Sequence, residues 1–193
     1  MSSLSFLVIV LGADIAAPPG VGAAPVAAEA TLSQRLASLE AALAKEERHF
    51  QIWRWSWTAT YAALTVGSLV AVPFVAKEAR VDYYTAAVTS AAAVVPTLLF
   101  VQPPPPAYLP GAEAPARLRL AEQRLAEVAA YQREARTWKV HVINIAVNAA
   151  TSAFLGFGFD RWKSAALNFV AGTALGELQI LTHPNQARHL LSH

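Results

Sequence analysis

The sequence predicts an all-α, multi-pass membrane protein: four transmembrane helices in two tandem helical hairpins, each preceded by an amphipathic helical extension outside the bilayer. Three observations lead there. Of 193 residues, 55% are hydrophobic and only 15% charged, with a mean hydropathy of +0.36, whereas soluble domains carry charge on about a quarter of their residues. The apolar residues gather into four runs with few or no charges, residues 55–76, 83–101, 140–159 and 164–181, each close to the roughly 20 residues that cross a hydrocarbon core. All five tryptophans stand at the ends of these runs: Trp53, Trp55 and Trp57 before the first, Trp138 before the third, Trp162 before the fourth. Amphipathic rings so placed form the aromatic belt of a membrane interface. The competing reading is a soluble four-helix bundle, but buried soluble helices keep a polar face, and the first two runs scarcely show one.

Composition also bounds function. A net charge of +2, without Lys/Arg clusters interleaved with aromatics, gives no reason to expect nucleic acid as a partner. With no cysteine there are no disulfides, no thiolate catalysis and no Cys-ligated metal.

Residues 1–30 contain no Lys or Arg and carry a short apolar core, Leu4 to Leu11, followed by small residues up to Ala28-Glu29-Ala30. The core is too short to span, so the stretch reads as a cleavable signal peptide or a disordered N-terminal arm. A first repeat then covers residues 31–101. Its extension shows Leu32, Leu36, Leu39, Leu43, Phe50 and Trp53 at alternating steps of about three and four, the narrow seam of a helix that pairs with another. Thr31 can cap its start, and neither Gly nor Pro interrupts residues 31–66. One helix from Leu32 to about Val75 is therefore expected, on the order of 65 Å tall at 1.5 Å per residue. Pro73 and the charged residues Lys77, Glu78, Arg80 and Asp82 make the turn, and Tyr83 to Val101 returns, with a kink expected at Pro96.

A Pro-rich linker, residues 102–115, holds Pro103 to Pro106 and should be stiff and extended. A second repeat, residues 116–182, follows. Gln123-Arg124-Leu125-Ala126 echoes Gln34-Arg35-Leu36-Ala37, and the seam resumes through Leu118, Ala121, Leu125, Val128, Ala135 and Trp138. Ser56 and Thr60 correspond to Asn144 and Asn148, and Pro96 to Glu177. Two spans per copy put both copies the same way up. Both extensions then emerge on one side, free to pair as a short parallel coiled coil. A signal peptide places them outside the cytoplasm; the density of Lys and Arg on that side argues the reverse. The first signal is preferred, which places the chain in a plasma or inner membrane.

Candidate chemistry concentrates in the second hairpin. His141, Asn144, Asn148, Thr151 and Ser152 form one polar stripe, which must face protein or water because lipid satisfies none of them. Interhelical hydrogen bonding and a water-lined path are the two readings. Ser164, Asn168, Gly172 and Gly176 recur every four residues, a spacing that lets helices approach closely. Gln179 and His183 extend that side, while Glu177 and Thr173 project opposite Asn168, a second polar face that must be central in the fold or meet another subunit. Glu177 is the strongest single candidate: a carboxylate in a span must be protonated, paired or wet, and His141 lies at its height. The tail, residues 183–193, offers His189 and His193 at i, i+4, but no carboxylate joins them and the terminus is expected to fray.

No phosphate loop, nucleophile elbow or His-Glu-x-x-His occurs, so neither enzymatic activity nor a cofactor or metal is expected. The partners expected are the lipid bilayer and either further copies of the chain or other membrane subunits. The expected function is a structural or interaction protein that oligomerises or serves as an accessory subunit of a membrane assembly. The alternative is a small channel or proton/cation-coupled transporter with its path around Glu177.

Overall fold

A computed structural model of the protein describes residues 23–99, 111 and 113–190. These residues form six helices and no strand: α1 (Ala23–Ala71), α2 (Arg80–Leu99), α3 (Ala114–Glu134), α4 (Trp138–Phe159), α5 (Trp162–Leu181) and α6 (Gln186–Leu190). The expected signal sequence up to residue 22 and most of the Pro-rich linker lie outside the described residues.

The 49 residues of α1 make a rod about 73 Å long at 1.5 Å per residue. It begins earlier than expected, so Thr31 lies inside the helix instead of capping it. Ala23, Ala24, Ala27, Ala28 and Ala30 are the strongest helix formers, and Pro25 falls in the first turn, where its missing N–H is harmless; propensity outweighs the cap signal. The rod stops where Pro73 enters a short 3-10 turn, Val72–Phe74, followed by extended Val75. Pro96 sits inside α2 near its end. At the start of α3, Pro115 again occupies the first turn, so the helix takes in two residues expected to belong to the linker.

The two segments expected to be repeats are not built alike. Between α3 and α4 the chain turns at residues 135–137, so extension and apolar helix are separate elements. The seam ends there, and Trp138, expected on it, is 70% exposed. The loop between α4 and α5 is tight: Asp160 takes a left-handed conformation (φ 54°, ψ 33°), which Asp tolerates. The Trp162 ring lies directly over Gly156, leaving no room for a Cβ there.

α1 pairs with α2, and α4 with α5, as two helical hairpins. Each hairpin closes with the same device. Arg54 of α1 donates from Nε and Nη2 to the carbonyls of Thr97 and Leu98, both at 2.9 Å; Arg136 donates from Nη2 to those of Leu181 and His183, both at 2.6 Å. A guanidinium so placed satisfies the last carbonyls of a helix and opposes its dipole. The hairpins are joined at both ends. At one end Tyr61 donates to Gln179 (2.8 Å) and Trp57 to Thr182 (3.1 Å); at the other Arg161 pairs with Asp82 (2.5 Å), which also accepts from Ser164 (2.7 Å).

The buried apolar cluster lies away from the hairpins, where α3 and α6 pack on the first half of α1. It contains Leu36, Leu43, Ala121, Leu125, Val128, Ala129 and Ala187, with Leu39, Ala114 and Leu118 against it. Leu32 is half-buried above it. Glu40 with Arg117 and Phe50 with Tyr131 mark the two ends of this contact, so α3 advances along α1 in the same direction. Within the tail, α6 buries Ala187 completely against this cluster; His193 and the side chain of His189 lie outside what is described.

The hairpins themselves are apolar outside. Phe74, Val88, Phe157, Leu167 and Val170 are all more than 60% exposed. Among the described residues, the helix through residues 29–74 and α4 are long and apolar enough to cross a membrane, yet only 22% and 11% of their most apolar windows are buried. Leu125→Ala should destabilise the α1–α3–α6 packing by about 2–5 kcal/mol. The loss is expected as faster amide exchange in α3 and α6 with little change in α4 and α5.

Candidate functional site: the polar seam of the second hairpin

The site grows from two stripes, one on each helix of the second hairpin. Asn144 and Asn148 are one turn apart on α4, and Gly172 and Gly176 one turn apart on α5. The Asn148 amide sits where a Cβ of Gly172 would be, and the Asn144 amide where a Cβ of Gly176 would be. Only glycine admits an amide this close to the neighbouring backbone.

That approach brings the donors within reach of α5. The Asn144 amide nitrogen donates to the Thr173 carbonyl at 3.1 Å and to Glu177 Oε1 at 2.9 Å. Asn148 donates to the Asn144 side-chain and backbone oxygens, both at 2.9 Å. The other carboxylate oxygen of Glu177 lies 2.5 Å from His141 Nδ1. His141, Glu177, Asn144 and Asn148 are thus one connected network.

Further along, Asn168 approaches Ser152 at 3.4 Å. The Ser164 hydroxyl, expected as a packing residue, joins the Asp82–Arg161 pair instead. Thr151 is not part of the network, since its hydroxyl returns to the Val147 carbonyl of its own helix at 3.0 Å.

Two expectations are corrected. Glu177 does not project away from the small residues: Asn144 covers Gly176 and reaches the Glu177 carboxylate together with the Thr173 backbone carbonyl, while the Thr173 hydroxyl is buried without a hydrogen-bond partner. Helices in such close contact share a broad strip, and a wheel drawn at a fixed 100° per residue splits that strip in two. Gln179 and His183, in contrast, leave the α4 side and turn to α1. Ser56 and Thr60, the counterparts of Asn144 and Asn148, are exposed, and Thr60 bonds back to the Ser56 carbonyl. A threonine satisfied by its own helix needs no partner. Besides the Arg54 cap, the first hairpin is linked by the buried Thr58–Thr97 bond at 3.0 Å.

His141 and Glu177 are 32% and 29% exposed at the side chain, on the rim of the α4–α5 contact. Either Nδ1–H donates to the carboxylate or a protonated carboxyl donates to Nδ1. Both states keep the hydrogen bond between the two side chains. Among the described residues no three His, Cys, Asp or Glu side chains converge as a metal site.

The second cluster, around His183, was not expected. Its ring is enclosed by Trp53, Tyr131 and Phe50 at centroid distances of 4.6, 5.5 and 5.9 Å. Nδ1 faces the Pro184 carbonyl at 3.0 Å; a carbonyl only accepts, so Nδ1 carries the proton and Nε2 is a buried acceptor without a partner. Burial, helped by the charge of Arg136, lowers the His183 pKa below its ordinary 6.5, and burial raises that of Tyr131. The missed joints between hairpins had one legible trace: Asp82 and Arg161 carry opposite charge in the turns of the two copies.

Compared with family models, with curated proteins and with solved structures, the chain matches none.

Gly176→Val should push α4 and α5 apart and cost about 1–3 kcal/mol, read as a lower thermal midpoint in detergent. The His183 prediction has a sign. With its folded pKa below 6.5, stability is fullest above pH 6.5 and falls as the pH drops from there through the folded value. Exchange of the α6 amides, corrected for its intrinsic pH dependence, should rise on acidification, and His183→Gln should remove the effect.

Proposed function

We propose that the chain is an integral membrane protein of four spans, α4, α5, α2 and the second half of α1. It serves as a structural or interaction subunit that oligomerises or braces a larger membrane assembly. The observation that carries this reading is the distribution of polarity. The large outward-facing side chains of both hairpins are mainly Val, Leu, Ile and Phe, with Trp and Tyr toward the ends, while His141, Asn144 and Asn148 of α4 turn with Glu177 of α5 into the contact between the two helices. In water such a surface would far exceed the exposed apolar patch a soluble monomer tolerates; in lipid it is the required surface. The other two spans, α2 and α5, are long enough to cross at 20 residues each but less apolar, because they carry polar residues that are largely bonded within the protein.

Under this reading the two hairpins insert the same way up, and α3, α6 and the first half of α1 stand on one side as a compact platform. That platform, parallel-packed through the leucine seam, is where a partner subunit or a second copy would dock. Extraction of the tagged protein in gentle detergent, followed by native mass spectrometry of the complex, tests the proposal. A homo-oligomer or a stoichiometric membrane partner is expected. A chain recovered from the soluble fraction as a monomer would refute it.

One observation favours a second reading, a proton or cation path. Polar groups run the length of α4 and α5, from His141 and Glu177 through Asn144 and Asn148 to Ser152 with Asn168, and on to Ser164 with Asp82 and Arg161. In reconstituted liposomes, Glu177→Gln keeps a hydrogen-bonding side chain but cannot titrate. Under the second reading it abolishes flux with assembly intact. Under the first, the parent protein carries no flux and the variant assembles as the parent does.

A further inference from the structure

We infer that the cleft where α1, the α3–α4 turn and the tail meet binds the headgroup of an anionic phospholipid. The inference rests on the membrane reading above and adds a site to it. The cleft, about 520 Å³, is lined by His49, Ile52 and Trp53 of α1, by Arg136, and by residues 181–186 after and at the end of α5. That volume is in the range of small-molecule sites.

Its position sets the depth. Leu181 is the last residue of α5, and Trp53, Trp55 and Trp57 lie at the same end of the hairpins. This is the headgroup level of the proposed spans. On the hairpin side the wall offers Ile52 and Leu181, 58% and 61% exposed, a surface suited to the start of an acyl chain.

The polar side of the wall fits an anion. No carboxylate lines it, and its charge is that of Arg136, with His49 beside it. Arg136 spends Nη2 on the Leu181 and His183 carbonyls, while its Nε is buried without a partner and no hydrogen bond engages Nη1. With both Nη2 hydrogens spent and Nε shut off from solvent, Nη1 is the donor left to a phosphate oxygen, as a single charge-assisted hydrogen bond. Arg54, the equivalent cap in the first hairpin, is not among the residues lining this cleft and supplies the control.

The experiment places the full chain in nanodiscs of mixed phosphatidylglycerol and phosphatidylcholine and reads the lipids retained by native mass spectrometry after gentle activation. Variants are Arg136→Gln, which keeps amide donors for the two carbonyls but loses the charge, His49→Glu, which puts a carboxylate at the cleft, and Arg54→Gln. The parent and Arg54→Gln are expected to retain phosphatidylglycerol preferentially. Arg136→Gln and His49→Glu should each lower the ratio of retained phosphatidylglycerol to phosphatidylcholine by about tenfold, the scale of one charge-assisted hydrogen bond. Because His49→Glu leaves the helix cap intact, misfolding of Arg136→Gln alone does not protect the inference. Equal retention of both lipids by the parent, or an unchanged ratio in His49→Glu, would overturn it while leaving the membrane reading in place. A chain that does not enter nanodiscs at all would overturn the membrane reading instead.

Discussion

The continuity of α1 is the constraint on which the rest of the structure depends. One unbroken rod of 49 residues carries three different surfaces in succession: the leucine seam that receives α3 and α6, the aromatic and arginine junction that receives the ends of α2 and α5, and the apolar half that pairs with α2. A break at the junction, such as the one between α3 and α4 at residues 135–137, would uncouple the outer bundle from the hairpins. Because α1 is continuous there while α3 and α4 are hinged, the hinge can bring Arg136 onto the end of α5 while α3 stays packed on α1.

The two halves of the molecule are held by different physics. The α1–α3–α6 bundle has a conventional apolar core, and its surface ion pairs, Arg35–Glu122 among them, add little in high dielectric. The hairpins bury scattered apolar residues such as Trp57, Tyr61, Leu155 and Ile180 but build no contiguous cluster like that of the outer bundle. They are held by arginine caps, tryptophan and tyrosine hydrogen bonds, the Thr58–Thr97 bond and amides seated on glycines. If lipid surrounds them, burying Leu against Leu gains nothing over Leu against an acyl chain, so close packing and polar bonds are the contacts left to use.

Glu177 shows how a carboxylate in such a setting is made tolerable. Both oxygens are engaged, one by His141 and one by Asn144, and Asn144 is itself steered by Asn148. The glycines at positions 172 and 176 make this possible, since any Cβ there would displace the amides. Stripe and carboxylate are therefore one feature: the small residues supply the space and the amides fill it.

Much of this was legible in the linear order of residues, because it depends on local chemistry. The helical content, the run of α1 past the apolar boundary, the stop at Pro73, the leucine seam and the segregation of polarity into α4 and α5 all follow from periodicity, propensity and breakers acting within a few residues. Tertiary structure decided the rest, for reasons that no local rule contains. The break at residues 135–137 has no Gly or Pro to announce it and reflects where α3 must end for Arg136 to meet α5. Gln179 and His183 left the α4 side because α1 offered Tyr61 and an aromatic box. Glu177 shares a face with Gly176 because close approach widens the strip that two helices share. The sequence by itself determined which segments are helices and which are polar; which polar group meets which was decided by the packing of helices that are far apart in the chain.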